Sequence, residues 1–99
     1  MTAPNGEEAS RIAEALVGAR LAACVQILSD VRAVYRWKGE VTRDSELLLL
    51  AKTTREKFDE LERAVRAIHS YETPEIIALP VTAGSKPYLN WLISEVKSD

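Results

Sequence analysis

The chain has 99 residues, 46% of them hydrophobic and 28% charged, a balance that excludes wholesale disorder and supports one core, so residues 1–99 read as a single domain. Thirteen Lys and Arg against fifteen Asp and Glu leave a net charge of −2, which argues against nucleic acid, a partner that needs a basic face. No apolar run approaches the roughly 18 residues that span a bilayer, so no membrane partner is expected.

In chain order, the first element is a helix. Ala9, Ile12, Ala13, Leu16 and Val17 fall on one apolar stripe at the i, i+3, i+4, i+7, i+8 spacing. Asn5 is its expected cap, Glu8 stands three residues on where it can reach back to that cap, and Gly18 is the expected stop. Residues 22–28 form a short apolar run and read as a strand. Ser29-Asp30 is a turn signal, after which Val31, Ala33, Tyr35 and Trp37 alternate with Arg32, Val34 and Arg36. Lys38-Gly39 turns the chain, and a strand returns through Val41 to Leu47-Leu48-Leu49-Leu50-Ala51.

Thr53 and Glu56 have capping-box spacing and open a second helix, with Phe58, Leu61, Val65 and Ile68 as its stripe. Its charged residues, Lys57 among them, alternate in sign and read as a solvated face. Residues 75–81 read as the last strand, where Pro80 marks an end, a bulge or an edge. A short helix over 87–97 closes the chain, with Pro87 in its first turn and Tyr88, Leu89, Leu92, Ile93 and Val96 as its buried side.

The order helix, strand, strand, helix, strand, helix is α+β. One strand added in front gives the split βαβ sandwich of ferredoxin-like folds, with a long β-hairpin. Only residues 1–4 precede the first cap, so the first strand is missing or truncated. The expectation is that the native protein extends upstream of Met1 by about five to six residues, a typical strand length. Residues 47–50 and 76–79 are apolar on both strand faces. One short helix cannot cover the second face, which implies an obligate oligomer.

Leu21-Ala22-Ala23-Cys24-Val25, Tyr35-Arg36-Trp37-Lys38-Gly39, Glu46 with Lys52-Thr53, His69-Ser70-Tyr71-Glu72-Thr73-Pro74-Glu75, Leu79-Pro80-Val81 and Tyr88-Leu89-Asn90-Trp91-Leu92 follow one another in order. Together they resemble the CutA family of divalent-cation-tolerance proteins, over nearly the whole chain. The resemblance implies a ferredoxin-like domain assembled as a homotrimer, architecturally like PII signalling proteins. It also implies a role in tolerance of divalent metals, copper especially, through weak metal binding.

In that family a glutamate, a cysteine at the end of the first strand and a histidine at the end of the second helix have been proposed as copper ligands. Carried over, the glutamate is Glu75, the cysteine falls on Met1 and the histidine on Ile68, with the neighbouring family histidine kept as His69. Met1, His69 and Glu75 are therefore the candidate metal ligands, for copper or another divalent cation. A thioether suits Cu(I) better than Cu(II). The competing reading has His69 meeting the negative end of a helix dipole and Glu75 holding a backbone amide or a cation across an interface.

Trp37, Glu46, Lys52 and Tyr71 are the residue types that the resemblance places around an intersubunit cleft. Core or interface packing is the competing reading for the aromatics, and a snorkelling strand end for Lys52. Cys24, the single cysteine, reads as a small core hydrophobe, and a lone cysteine fits a reducing cytoplasm. The four glycines are isolated, without a phosphate loop, and no nucleophile elbow is present. No enzyme activity and no certain cofactor are expected. A metal-tolerance trimer is the first reading, and a PII-like module binding a small ligand is the alternative.

Overall fold

One long antiparallel hairpin dominates the computed structural model, which describes residues 1–98. Strand β2 (Cys24–Trp37) pairs with β3 (Glu40–Lys52) from Cys24 opposite Lys52 to Trp37 opposite Glu40. Lys38 at φ 51° and Gly39 at φ 83° turn the chain between them. Two left-handed residues match the twist of the flanking strands, and glycine adopts that conformation without steric cost. Ser29-Asp30 is not a turn. The register shifts there, between Leu28 and Val31, with Asp30 at φ 61°. It is a bulge inside one continuous strand, so the two expected stretches are a single element.

Strand β1 (Thr2–Ala3) lies on the other side of β3, with Thr2 opposite Leu48 and Ala3 opposite Leu47, giving the order β1-β3-β2. The pairing continues through Met1: the Leu49 N–H donates to the Met1 carbonyl at 2.7 Å, and the Met1 ammonium donates to the Leu49 carbonyl at 3.1 Å. The first strand is thus present, as a two-residue strand whose pairing Met1 extends. The leucine run occupies the central strand, where both faces can be covered.

Helix α1 (Gly6–Gly18) is capped by Asn5, whose Oδ1 accepts the Glu8 N–H at 2.8 Å. Its stripe buries Ala9, Ile12, Ala13 and Leu16, while Val17 stays half-exposed. Gly18 is the last helical residue, and the left-handed residue that follows is Arg20, at φ 59°. Helix α2 (Phe58–Ile68) is preceded by a single 3₁₀ turn, Arg55–Lys57. The capping box at Thr53 does not form. Thr53 instead donates its hydroxyl to the Leu21 carbonyl at 2.6 Å, tying the end of β3 to the chain that leaves α1. Lys57 is buried, with its ammonium 3.6 Å from the Glu60 carboxylate, which corrects its place on a solvated face.

Helix α3 (Lys86–Glu95) is capped by Ser85, whose hydroxyl accepts the Tyr88 N–H at 3.4 Å. It buries Leu92 and, just past its end, Val96 against Ala23, while Tyr88 and Ile93 remain exposed. The expected buried side is therefore only half realised within one chain. The main core joins Ala3, Ile12, Leu16, Leu21, Leu49, Leu61 and Val65 between α1, α2 and one sheet face. Burying such side chains contributes roughly 1.5–3 kcal/mol each.

Residues 75–81 depart from expectation, because they pair with no strand of their own chain. Ile76 packs on the core, yet Ile77, Leu79 and Val81 are 68%, 84% and 72% exposed. Strand β1 offers a two-residue edge, and Pro80 has no N–H to donate.

Candidate functional site

The first turn of α1, the start of β1 and the exit from α2 meet around His69. Its side chain is fully buried. Nε2 lies 2.8 Å from the Thr2 carbonyl. A carbonyl only accepts, so Nε2 carries the hydrogen. Nδ1 then accepts the Tyr71 N–H at 3.0 Å. Both ring nitrogens are engaged inside the chain, and in this arrangement neither presents a lone pair to a metal.

Beside the ring lies Glu8, only 5% exposed. Its Oε2 accepts the Ser70 N–H at 2.9 Å and the Ser70 hydroxyl at 3.0 Å, and stands 3.3 Å from His69 Nδ1. Oε1 is 3.9 Å from Arg11. Burial pushes the Glu8 carboxyl up, but the two Ser70 hydrogen bonds, His69 and Arg11 outweigh it and hold it below the usual range. Sequence reasoning gave Glu8 to the α1 cap. The signal that could have corrected this is its position four residues before Ile12, at the margin of the buried stripe.

Met1 and Glu75 are brought within electrostatic reach of each other. Burial lowers the pKa of the Met1 ammonium, and attraction to Glu75 partly restores it. Glu75 is exposed, and the Met1 side chain packs against the core together with Ile68. Among the described residues no three His, Cys, Asp or Glu side chains converge in a way that could hold a metal.

The four cleft candidates divide. Glu46 is buried, and Tyr71 lies near it: burial, then the charges of Glu46, Asp44 and Glu8, push the Tyr71 hydroxyl up. Tyr35 donates its hydroxyl to Asp44, and this bond leads the causes that push its pKa up to about 12. Lys52 and Trp37 stand at opposite ends of the hairpin, one opposite Cys24 and the other opposite Glu40. Fourteen residues of β2 at about 3.3 Å each separate them by roughly 40 Å. A single chain therefore gathers Glu46 and Tyr71 but not Lys52 or Trp37.

The register also surrounds Cys24 with groups that sequence reasoning did not anticipate. The Lys52 ammonium lies 3.9 Å from its Sγ while also donating to the Gln26 side chain, and Tyr88 is near enough that burial, then Cys24, push its hydroxyl up. Counting pairs back from the Lys38-Gly39 turn finds Lys52 opposite Cys24 only if the bulge is included, and the sequence read that position as a turn.

Residues 1–95 match the family described as CutA1 divalent ion tolerance protein. The divalent-cation tolerance protein CutA of Thermus thermophilus is 52% identical over 92 residues, which cover 93% of this chain and 89% of that protein. Human protein CutA is 44% identical; the match takes in 100% of this chain but 56% of that protein, so the chain spans about half the length of this relative. Two solved structures superpose closely. The Thermus thermophilus protein (Cut A1) gives a TM-score of 0.95 at 50% identity, covering 97% of this chain and 93% of that one. CutA1 of Oryza sativa gives 0.95 at 41% identity, covering 99% and 90%.

Proposed function

The chain belongs to the CutA1 divalent ion tolerance family, and from that premise we propose that it acts in the cytoplasm as a homotrimer that contributes to tolerance of copper and other divalent cations by binding them weakly. The observation that carries the assembly is the exposed apolar row Ile77, Leu79 and Val81 on a segment without a partner strand. Surface of that kind on a soluble chain marks an interface, and copies of the same chain supply an edge and an apolar face.

For the cation we assign Glu75 as the donor. Its carboxylate is exposed, and it stands at the position that the resemblance matches to a proposed copper ligand. Oxygen donors accept Cu(II) ahead of Zn(II) in the Irving–Williams order, and a site without thiolate selects poorly for Cu(I). Calorimetric titration of wild type and Glu75→Gln with Cu(II) tests this. Loss of most of the binding heat in Glu75→Gln supports the assignment, and equal affinity and stoichiometry in the two proteins removes Glu75 from the site.

Glu46 favours a second reading, a PII-like module with a small ligand between copies. Glu46 is a buried residue near Tyr71, and no ion pair engages its carboxylate among the described residues. A neighbouring copy could bring Lys52 or Trp37 to it. Titration with nucleotides in place of copper separates the two readings.

A further inference from the structure

Beyond the bulge at Ser29-Asp30 the hairpin continues as an arm, residues 31–46, which β1 does not flank. Residues opposite one another in an antiparallel ladder share a face, and neighbours along a strand alternate between faces. The register pairs Val31 with Glu46, Ala33 with Asp44, Tyr35 with Thr42 and Trp37 with Glu40. Between these it pairs Arg32 with Ser45, Val34 with Arg43 and Arg36 with Val41. One face of the arm therefore carries the carboxylates Glu40, Asp44 and Glu46 beside the rings of Tyr35 and Trp37. The other carries Arg32, Arg36 and Arg43 beside Val34 and Val41. All six charged residues of the two strand segments are sorted in this way, negative to one face and positive to the other. We propose that the arm is a self-complementary docking ribbon: the acidic, aromatic face of one copy seats against the basic, valine-bearing face of the next.

Within one chain this sorting serves no contact. None of the six charges forms an ion pair among the described residues. Asp44 accepts from Tyr35 on its own face, and Arg36 reaches only the Gly39 carbonyl, at 3.4 Å. Lys38, in the turn, stands over the Trp37 ring at 5.8 Å and belongs to neither row. Like charges gathered on one face of a ladder repel one another. Apolar surface accompanies the charge on both sides: Val34 and Val41 are 67% and 52% exposed on the basic face, and Trp37 is 45% exposed on the acidic one. At the base of the acidic face lies the buried Glu46.

The occupant that fits both faces is a second copy of this chain. A ring of three has no two-fold axis, so each of its contacts joins two different surfaces of the chain. The arm supplies two such surfaces, of equal length and opposite sign, on the front and back of one ribbon. A nucleic acid would use the arginine face alone, and the net charge of −2 opposes it. The proposal rests on the homotrimer reading and adds to it which faces meet. It is separate from the Ile77, Leu79 and Val81 row, so either contact can fail without the other.

The test is sedimentation equilibrium of the full chain in four forms. They are wild type, the pair Arg36→Glu with Arg43→Glu, the pair Glu40→Lys with Asp44→Lys, and all four substitutions together. Circular dichroism checks that each form folds. Either pair alone sets like charges against each other across the contact, and the midpoint concentration for assembly rises by roughly tenfold or more. All four together exchange the signs of both faces, so opposite charges meet again and the midpoint returns towards that of wild type. The wild-type midpoint also rises between about 50 mM and about 500 mM sodium chloride, as screening weakens the contact. Single-face variants that assemble like wild type overturn the proposal, as does a fourfold variant no better than the two pairs. Should a variant fail to fold, a wild-type midpoint indifferent to salt overturns it. A wild-type protein that sediments only as a monomer refutes the homotrimer reading itself, and the arm contact with it.

Discussion

Glu8 and Ser70 are 62 residues apart in the chain and share one carboxylate oxygen, which accepts both the amide and the hydroxyl of Ser70. The contact fastens the exit of α2 to the entrance of α1. The folded-state pKa of Glu8 lies below its ordinary value, so its stabilising contribution is complete above the carboxylate range, about 4.3, and is lost as pH falls through the lowered value. Urea unfolding of wild type and Glu8→Ala should therefore differ by about 1–3 kcal/mol at neutral pH, the cost of leaving a buried donor unpaired. The gap should narrow below about pH 4.

Arg20 should respond oddly to glycine. Its Nε and Nη2 donate to the Glu95 and Ser94 carbonyls at 3.0 and 2.7 Å, closing the end of α3. Its own φ of 59° is unfavourable for any residue with a Cβ. Arg20→Ala loses the clamp and keeps the strain. Arg20→Gly loses the clamp but relieves about 1 kcal/mol of strain. Thermal unfolding should rank wild type above Arg20→Gly and Arg20→Gly above Arg20→Ala, with faster amide exchange in α3 for both variants.

Leu79→Asp tests the assembly without touching the core. Leu79 is 84% exposed within the chain, so the substitution should leave the circular dichroism of the fold unchanged. In a trimer it introduces a charge at an apolar contact, and sedimentation should show dissociation at micromolar concentration. A Leu79→Asp protein sedimenting like wild type would remove the 75–81 segment from the interface.

Tyr35 gives a local electrostatic check. The hydrogen bond to Asp44 is the main cause of a phenol pKa near 12. Asp44→Asn removes the charge while keeping an acceptor. The ultraviolet phenolate titration of Tyr35 should move down towards the ordinary value of about 10, with little change in stability for a pair this exposed.

The helices were legible in the sequence because burial against a sheet imposes a period: Ala9, Ile12, Ala13 and Leu16 announce α1, and Leu61 and Val65 announce α2. The hairpin was legible from its turn. Three features were not, each for a physical reason. Ser29-Asp30 carries turn chemistry, and a bulge uses the same left-handed residue as a turn. Thr53 has capping-box spacing, but the Leu21 carbonyl, brought close only by tertiary packing, takes its hydroxyl. Residues 75–81 have strand composition, yet they join neither edge of the sheet, β1 or β2, and composition alone does not choose a partner strand.

At the candidate site, residue types were legible and partners were not. Period and composition cannot show that His69 faces Thr2 and Tyr71, or that Lys52 lies beside Cys24. Those contacts follow from register and chain crossings.

The long hairpin also sets the order of events when the chain folds. Lys38 and Gly39 bring β2 and β3 together with no long loop to close, and hairpins of this kind form on the microsecond scale, about 1–10 μs. The Glu8–Ser70 contact spans 62 residues and needs α1 and the exit of α2 together. If it forms after the folding barrier, it leaves the folding rate almost unchanged and slows unfolding, so Glu8→Ala should then speed unfolding more than it slows folding.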